Sequence, residues 1–542
     1  MNMLNNKKRL SLLLVVLLLI MTLSTVGVQA NEKAEIKNVI LLIPDGMNIT
    51  STTLARWYNG GGPLAMDEMA CGLIRTYSAD AAIADSAPAG TAMATGFKSH
   101  TGFISVLPDV ADMPGQKPIA AGDERKPVAT VLEAAKLAGK ATGIVATSNI
   151  QHATPADFTA HYPDRNKYEI LGEQQVYAEI DVVLGGGKKY LVKEGRSDQE
   201  DMIAEIKRLG YDYVTTPTEL ADAKGNKLWG MFADDAMSYD FDRDPEKEPS
   251  LAEMTEKAIE VLSKKQKGFF LMVEGSKIDW ANHANDPIGT ISDVLAFDQA
   301  VKVALDFAKE NKETIVIVAP DHGTGGLSIG NWDTNKNYDN LPLSTFIDPL
   351  KKAKLTGEGV ESKLNADKSN VVEVMKEYYG IDDLTEEEIT AIQAAAKTKL
   401  NYAVGKMISK RAFLGWTTEG HTGEEVALYV YSPNRERLTG VVENTDIAKY
   451  IESVLKLNLK ESNEKLFIAA QAAFKAKGAT VSLDESDKEN PVLTVTKDKI
   501  ELKFPAFKNI VIKNGQSIKM KGLTIFNGEV FYVPKEAVDM IQ

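Results

Sequence analysis

The chain has 542 residues, of which 44% are hydrophobic, and 62 basic against 76 acidic residues give it a formal net charge of −14. That length suits one large domain plus a small one, and the acidic balance argues against nucleic acid as the main partner. A single cysteine, Cys71, excludes an internal disulfide, so stability must come from a large core, with bound metal as the other source.

Residues 1–30 read as a secretory signal. Lys7, Lys8 and Arg9 precede an apolar run over 10–21 broken only by Ser11, and Val28-Gln29-Ala30 is a small-residue cleavage site. The run is short for a membrane span. Cleavage would place the protein outside the cell or in its envelope. It would leave 59 basic against 76 acidic residues, a net of −17. An anionic substrate then needs a locally positive site, which metals provide.

Several short β-branched runs end in carboxylates or small-residue loops. Residues 39–43 lead into Pro44-Asp45-Gly46. Next comes Ala84-Asp85-Ser86-Ala87-Pro88, read as a helix start, because Pro88 suits a first turn. Ser86 then falls at or just before the N-cap, where free N–H groups and the helix dipole attract phosphate. A serine hydroxyl needs a base or a metal to lose its proton, and no histidine stands close to it in the sequence. A helical pattern over 128–138 precedes a strand over 141–145, which runs into Ala146-Thr147-Ser148-Asn149. Arg165 closes His161-Tyr162-Pro163-Asp164-Arg165, and its guanidinium can fork two phosphate oxygens. Residues 269–273 lead into Glu274-Gly275.

Asp279 and His283 stand four apart on a predicted helix, which puts carboxylate and imidazole on one face. Alone, that spacing serves a surface pair equally well. A helix over 291–309 precedes a strand over 314–318, which leads into Ala319-Pro320-Asp321-His322. Residues 330–415 read as a polar, crown-like insertion with helices over 367–379 and 385–407. His421 sits in a Gly-flanked loop before a strand over 427–431. This alternation predicts an α/β fold, a mostly parallel central sheet with helices on both faces. Ligands then bind beyond the carboxyl ends of the strands, where Asp45, Glu274, Asp321 and His322 fall together. Two strand-end carboxylates, three histidine-bearing motifs and a helix-start serine point to multi-metal phosphoryl transfer.

From residue 460 to 542 the pattern predicts a small C-terminal β-rich module. It has one helix over 463–477, alternating segments over 492–504 and 523–533, and Asn527-Gly528 as a type I′ hairpin signal. It resembles stalk-like modules of secreted Gram-positive proteins and is expected to contact the cell wall or act as a spacer.

The order of the motifs resembles the alkaline phosphatase family from about Lys37 to about Leu459. The matching pieces are Pro-Asp45-Gly, Asp85-Ser86-Ala, Ala153-Thr154-Pro155-Ala156, Ala160-His161 through Arg165, and Leu184-Gly185-Gly186-Gly187. Val-Glu274-Gly, Ile-Asp279 through His283, Asp321-His322 and Gly420-His421-Thr422 follow. The resemblance implies hydrolysis of phosphate monoesters, with Ser86 as the nucleophile that becomes a phosphoserine. It implies one Zn2+ on Asp279, His283 and His421, and a second on Asp45, Asp321 and His322. A third site for Mg2+ would use Asp45, Thr154 and Glu274, and Arg165 would clamp the phosphoryl group. It also implies transfer to alcohols, and family members are commonly homodimers.

Two positions depart from the best-known bacterial pattern. His152 stands where some members have an aspartate, and Trp280 where some have a lysine. Imidazole is the softer ligand, which predicts weaker Mg2+ binding at the third site and activation there by Co2+ or Zn2+. Ser86-Ala87-Pro88 also resembles the sulfatase nucleophile motif, but Gly90 stands where that signature has arginine, which argues against conversion to formylglycine. The alternatives are a phosphodiesterase on the same scaffold and a non-catalytic phosphate- or metal-binding surface protein.

Overall fold

The inner strands of the central sheet form from largely apolar runs that are buried on both faces. A computed structural model describes residues 34–541, so the expected signal peptide lies outside the described residues. No described helix is long and apolar enough to cross a membrane. The main sheet is built from β1 (Asn38–Ile43), β2 (Ala70–Arg75), β3 (Ala141–Asn149), β4 (Val182–Gly186), β5 (Asp212–Val214), β6 (Leu228–Ala233), β7 (Phe269–Glu274), β8 (Thr314–Val318), β9 (Val426–Tyr431) and β10 (Gly440–Glu443). Their order is β10-β2-β9-β8-β1-β7-β3-β4-β6-β5. Alternation along β1 shows the two covered faces. Val39, Leu41 and Ile43 join the core under the helices Val131–Leu137 and Thr445–Val454. Ile40 and Leu42 join the core under Leu251–Leu262 and Pro287–Asn311.

The expected fold class is observed, with one feature the sequence pattern does not disclose. β9 runs antiparallel to both β2 and β8, while the other pairings are parallel. The start of a reversed strand lies at the carboxyl edge of its neighbours. His421, just before β9, therefore reaches the same edge as Asp45, Glu274 and Asp321. The register fixes this edge, with Ile43 opposite Glu274 and Leu42 opposite Val318.

Several local expectations are corrected. The N-cap of the helix Ser86–Thr95 is Asp85, so Ser86 is its first residue. The helix expected over 385–407 is two, Glu386–Ala394 and Leu400–Arg411, because Ala395 turns to extended backbone and Thr398 is left-handed at φ 70°. The helix expected over 463–477 also breaks, into Leu459–Leu466 and Ala470–Ala476. Phe467 between them is 5% exposed, and its ring packs 4.7 Å from that of His161, so tertiary packing overrides helix propensity. Residues 492–504 form a hairpin, Val492–Lys497 and Ile500–Pro505, turned at left-handed Asp498. Asn527-Gly528 is part of a four-residue loop, not a two-residue type I′ turn. The Asn527 carboxamide accepts from the N–H groups of Glu529 and Val530, and only Gly528 of the pair has positive φ.

Residues 330–415 carry a small core of their own. Val371, Val374, Met375, Ile392, Val404 and Ile408 pack with Leu54 and Ile288. The C-terminal strands form a five-stranded antiparallel sheet over 480–519, followed by a short hairpin at 525–533. Leu466, Phe467, Leu523 and Tyr532 share the core of the main sheet.

Candidate active site

Every expected metal-ligating residue comes to the carboxyl edge of β1, β7 and β8. Asp279, His283 and His421 form one group of ligand atoms, Asp45, Asp321 and His322 a second, and Asp45, His152 and Glu274 a third. Asp45, Glu274, Asp321 and His322 are fully buried. In the first group, the Nε2 atoms of His283 and His421 are 3.1 Å apart, and Asp279 lies 3.2 Å from His283 and 3.7 Å from His421. In the second, His322 Nε2 is 3.2 Å from Asp321 and 3.5 Å from Asp45. A tetrahedral zinc ion with ligands at about 2.0–2.1 Å needs ligand atoms about 3.3 Å apart. Both groups have that spacing.

The second nitrogen of each imidazole is held by a backbone carbonyl. His283 Nδ1 faces Glu419 O, His421 Nδ1 faces Ala84 O at 2.7 Å, and His322 Nδ1 faces Gly323 O at 3.3 Å. This leaves Nε2 of each ring free to coordinate. Thr324 donates to Asp279 Oδ1 at 2.6 Å, while Gly46 N and His322 N both donate to Asp321 Oδ1. Gly46 must be glycine, because φ is +65° and a Cβ there would stand 2.5 Å from Asp279 Oδ1.

The electrostatics follow from crowding four carboxylates into a buried site. Burial, then Asp321, Asp279 and Glu274, push Asp45 well above the usual carboxylate range. Burial, with Asp321 behind it, pushes Glu274 up to about 7. Burial opposes the charge on His322, but Asp321 and Asp279 override it and push the ring up to about 9. Burial and the neighbouring His322 push His421 down to about 4. Burial opposes ionisation of Asp279, yet His283, His421 and His322 hold it far below its ordinary value. Buried Asp45 Oδ1 and Oδ2, Asp321 Oδ2, Glu274 Oε1, Thr154 Oγ1 and His152 Nδ1 have no hydrogen-bond partner. The carboxylate and hydroxyl oxygens among them are buried acceptors without donors, as a cation site requires, so the residues present fit the metals.

Ser86 is 2% exposed, and its Oγ lies 3.1 Å from His322 Nε2. A histidine distant in sequence is therefore its neighbour. This is not a Ser-His-Asp triad, in which serine and carboxylate occupy opposite ring nitrogens. Here Ser86, Asp321 and Asp45 all crowd the same Nε2. Asp85 does not cap the helix with its side chain. It accepts from Gly102 N and pairs with Arg165, which leaves the first-turn N–H groups beside Ser86. Arg165 Nη2 also donates to His152 Nε2 at 2.9 Å, and the His152 ring meets Trp280 edge-on at 5.8 Å. Burial, reinforced by Arg165, pushes His152 down to about 3.

The family model for alkaline phosphatase matches residues 36–457, over three-quarters of the chain. The chain belongs to the alkaline phosphatase family. Alkaline phosphatase 3 of Bacillus subtilis (strain 168) is 40% identical over 453 residues, 79% of this chain and 90% of that protein. The repressible alkaline phosphatase of Saccharomyces cerevisiae is 33% identical over 489 residues, 78% of this chain and 82% of that protein. The crystal structure of Thermus thermophilus alkaline phosphatase aligns with a TM-score of 0.70 at 29% identity, over 80% of this chain and 95% of that one. Like other alkaline phosphatases, the chain is a metal-dependent hydrolase of phosphate monoesters. Residues 449–540 match the model for the copper amine oxidase N-terminal domain, a second unit appended to the alkaline phosphatase fold.

The sequence reading did not assign Asp85 or Thr324 a role. Asp85 adjoins Ser86, so its partner could have been sought. The bond from Thr324 to Asp279 spans 45 residues and left no local signal.

Proposed function

We propose that Ser86 is the nucleophile of a two-step phosphatase, with Arg165 as the clamp on the transferring group. The observation that carries this is the meeting of Ser86 Oγ with His322, Asp45 and Asp321. The hydroxyl stands 3.1 Å from His322 Nε2, the spacing that separates ligands around one ion. Asp279, His283 and His421 would hold one zinc ion, and Asp45, Asp321 and His322 another. Bound there, the two ions supply Lewis acidity to the attacking and leaving oxygens.

The remaining chemistry belongs to the chain. Ser86 Oγ attacks phosphorus as the ester P–O bond breaks, which leaves a phosphoserine and the alcohol. Attack by water then restores Ser86 and releases inorganic phosphate, while attack by an alcohol gives transphosphorylation. The N–H groups that open the helix Ser86–Thr95 would receive the phosphoryl oxygens. Arg165 offers a planar fork for two of them. Asp85 and His152 keep the guanidinium aimed at the site before substrate arrives.

The third site would use Asp45, Glu274 and Thr154, with His152 beside it. His152 Nε2 already accepts from Arg165. A cation there must do without that lone pair or displace the arginine. Where the ring does join the ligands, its softness favours Co2+ or Zn2+ over tightly held Mg2+. Crystal structures of an Antarctic TAB5 alkaline phosphatase describe histidine-to-glutamate and histidine-to-aspartate variants with Mg bound in the M3 site. We also propose export by the N-terminal segment, on the strength of its charged, apolar and small-residue pattern.

The deciding experiment is acid-trapping of labelled phosphoenzyme from an aryl phosphate, with and without Ser86→Ala. Label on the parent protein and none on the variant is expected. Equal labelling, or a diester hydrolysed faster than the monoester, would overturn the proposal.

A further inference from the structure

The C-terminal module packs against the loop that carries Arg165. The ring of Phe467 lies 4.7 Å from His161 at 67°, and that of Phe507 lies 6.0 Å from Tyr162 at 74°. Only Pro163, with its fixed φ, and Asp164 separate Tyr162 from Arg165. On its other side the loop is pinned to the main domain. Tyr162 and Ile104 exchange backbone hydrogen bonds at 2.9 and 3.0 Å, and Arg165 N donates to Gly102 O at 2.8 Å. The clamp loop is thus held between the main domain and the module.

The module's attachment is firm. Asn463 accepts from Ala129 N, and Asn527 donates to Arg125 O. Lys508 bridges buried Glu173 and Glu200. Phe507 itself has φ +66°, a conformation that a bulky residue keeps only when its surroundings hold it. Here its N–H donates to Thr524 O at 2.7 Å, and its ring is 2% exposed in the module's core.

We infer that the module is a buttress for the phosphate clamp, and that Phe507 and Phe467 are positioning residues for Arg165. The family match of the main domain ends at residue 457, before either phenylalanine, so the device belongs to the appended unit. The inference rests on the reading of Arg165 as clamp. With the contact intact, Arg165 meets phosphate without first being ordered. Without it, the loop keeps its bonds to Gly102, Ile104, Ser105, Glu133 and Gln174, and Arg165 keeps Asp85 and His152, but His161 and Tyr162 lose the rings packed against them, and phosphate binding must supply the remaining order.

The test uses full-length, zinc-loaded enzyme and compares Phe507→Ala, Phe467→Ala and Arg165→Ala, singly and in combination. The readouts are the inhibition constant for inorganic phosphate and kcat/KM on an aryl phosphate. Each phenylalanine variant should weaken phosphate binding by about 3- to 10-fold, the size of a coupling through packed side chains. The same substitution in the Arg165→Ala background should change nothing further, because the residue it positions is gone. Phe507→Tyr, which keeps the ring, should restore the parent value. Where an alanine variant does not fold, Phe507→Leu takes its place, since it keeps a large apolar side chain and loses the edge-on contact. A loss as large in the Arg165→Ala background as in the parent, or no loss in either, overturns the buttress alone. An Arg165→Ala enzyme with unchanged phosphate affinity overturns the clamp, and the buttress with it.

Discussion

Stripping the metals should cost the fold as well as the activity. Five buried oxygens of the site lack a hydrogen-bond partner from the protein: Asp45 Oδ1 and Oδ2, Asp321 Oδ2, Glu274 Oε1 and Thr154 Oγ1. An unsatisfied buried group costs about 1–3 kcal/mol, so these set an upper limit of about 5–15 kcal/mol. Water entering the stripped site and the ion contacts of His322 recover much of that, leaving about 5 kcal/mol. An unfolding entropy of about 2.1 cal/mol/K per residue over about 500 residues converts this to about 5 °C in Tm. Calorimetry of chelator-treated protein, with zinc added back, measures the shift directly. Unfolding is expected at least 5 °C earlier without metal and fully restored by zinc. A stripped protein that melts within 1 °C of the loaded one would refute the assignment of these atoms to cation sites.

Three further outcomes are expected. His421→Ala opens the first zinc group and should lose activity and one equivalent of zinc, with partial rescue by excess zinc; metal analysis and activity on the same sample check it. His152→Asp should tighten Mg2+ about 10- to 100-fold, the scale of a ligand-environment change, and weaken the response to Co2+; titration of stripped protein with each ion tests it. Buried Asp293 is pushed up to about 8 by burial, with Asp240 opposing and Lys277 favouring its ionisation. The folded state therefore binds the extra proton between the ordinary value of 3.8 and about 8, and stability contributed by this group falls as pH rises through that window. Asp293→Asn should thus gain stability over the parent, by up to a few kcal/mol, most at pH 9 and not at all at pH 3, in denaturant melts at the two pH values. A gain at pH 3 equal to that at pH 9 would sink that reasoning.

The site was legible because its ligands sit at the ends of unbroken apolar strands. The run ending in Asp45 and the run ending in Glu274 each announce a buried strand and then a carboxylate that must lie at one edge of the sheet. Asp279 and His283 were legible from helical spacing. His421 could be placed by motif order but not by physics, because β9 has the burial of a neighbouring strand and nothing in its composition discloses that it runs backwards. The break at Phe467 was illegible for a similar reason. The force that ends the helix is a ring contact with His161, some three hundred residues away in the chain. Asn527-Gly528 carried the right turn chemistry, but the Asn527 side chain bonds Arg125 O outside the hairpin and its own loop within it. Local signals fixed element type where a segment packs against its neighbours in sequence, and failed where a distant partner decided.

The reversed strand also makes the first metal group a clasp between distant parts of the chain. The two imidazoles of the first metal group are 138 positions apart, and a chain segment with its own small core lies between them. Closing so long a loop carries an entropic cost that local contacts near either histidine cannot offset. The first metal group is complete only where β9 is docked between β8 and β2. An ion bound there would tie β9 to the helix that carries Asp279 and His283 across that long loop, so binding it would favour the docked arrangement of the strand.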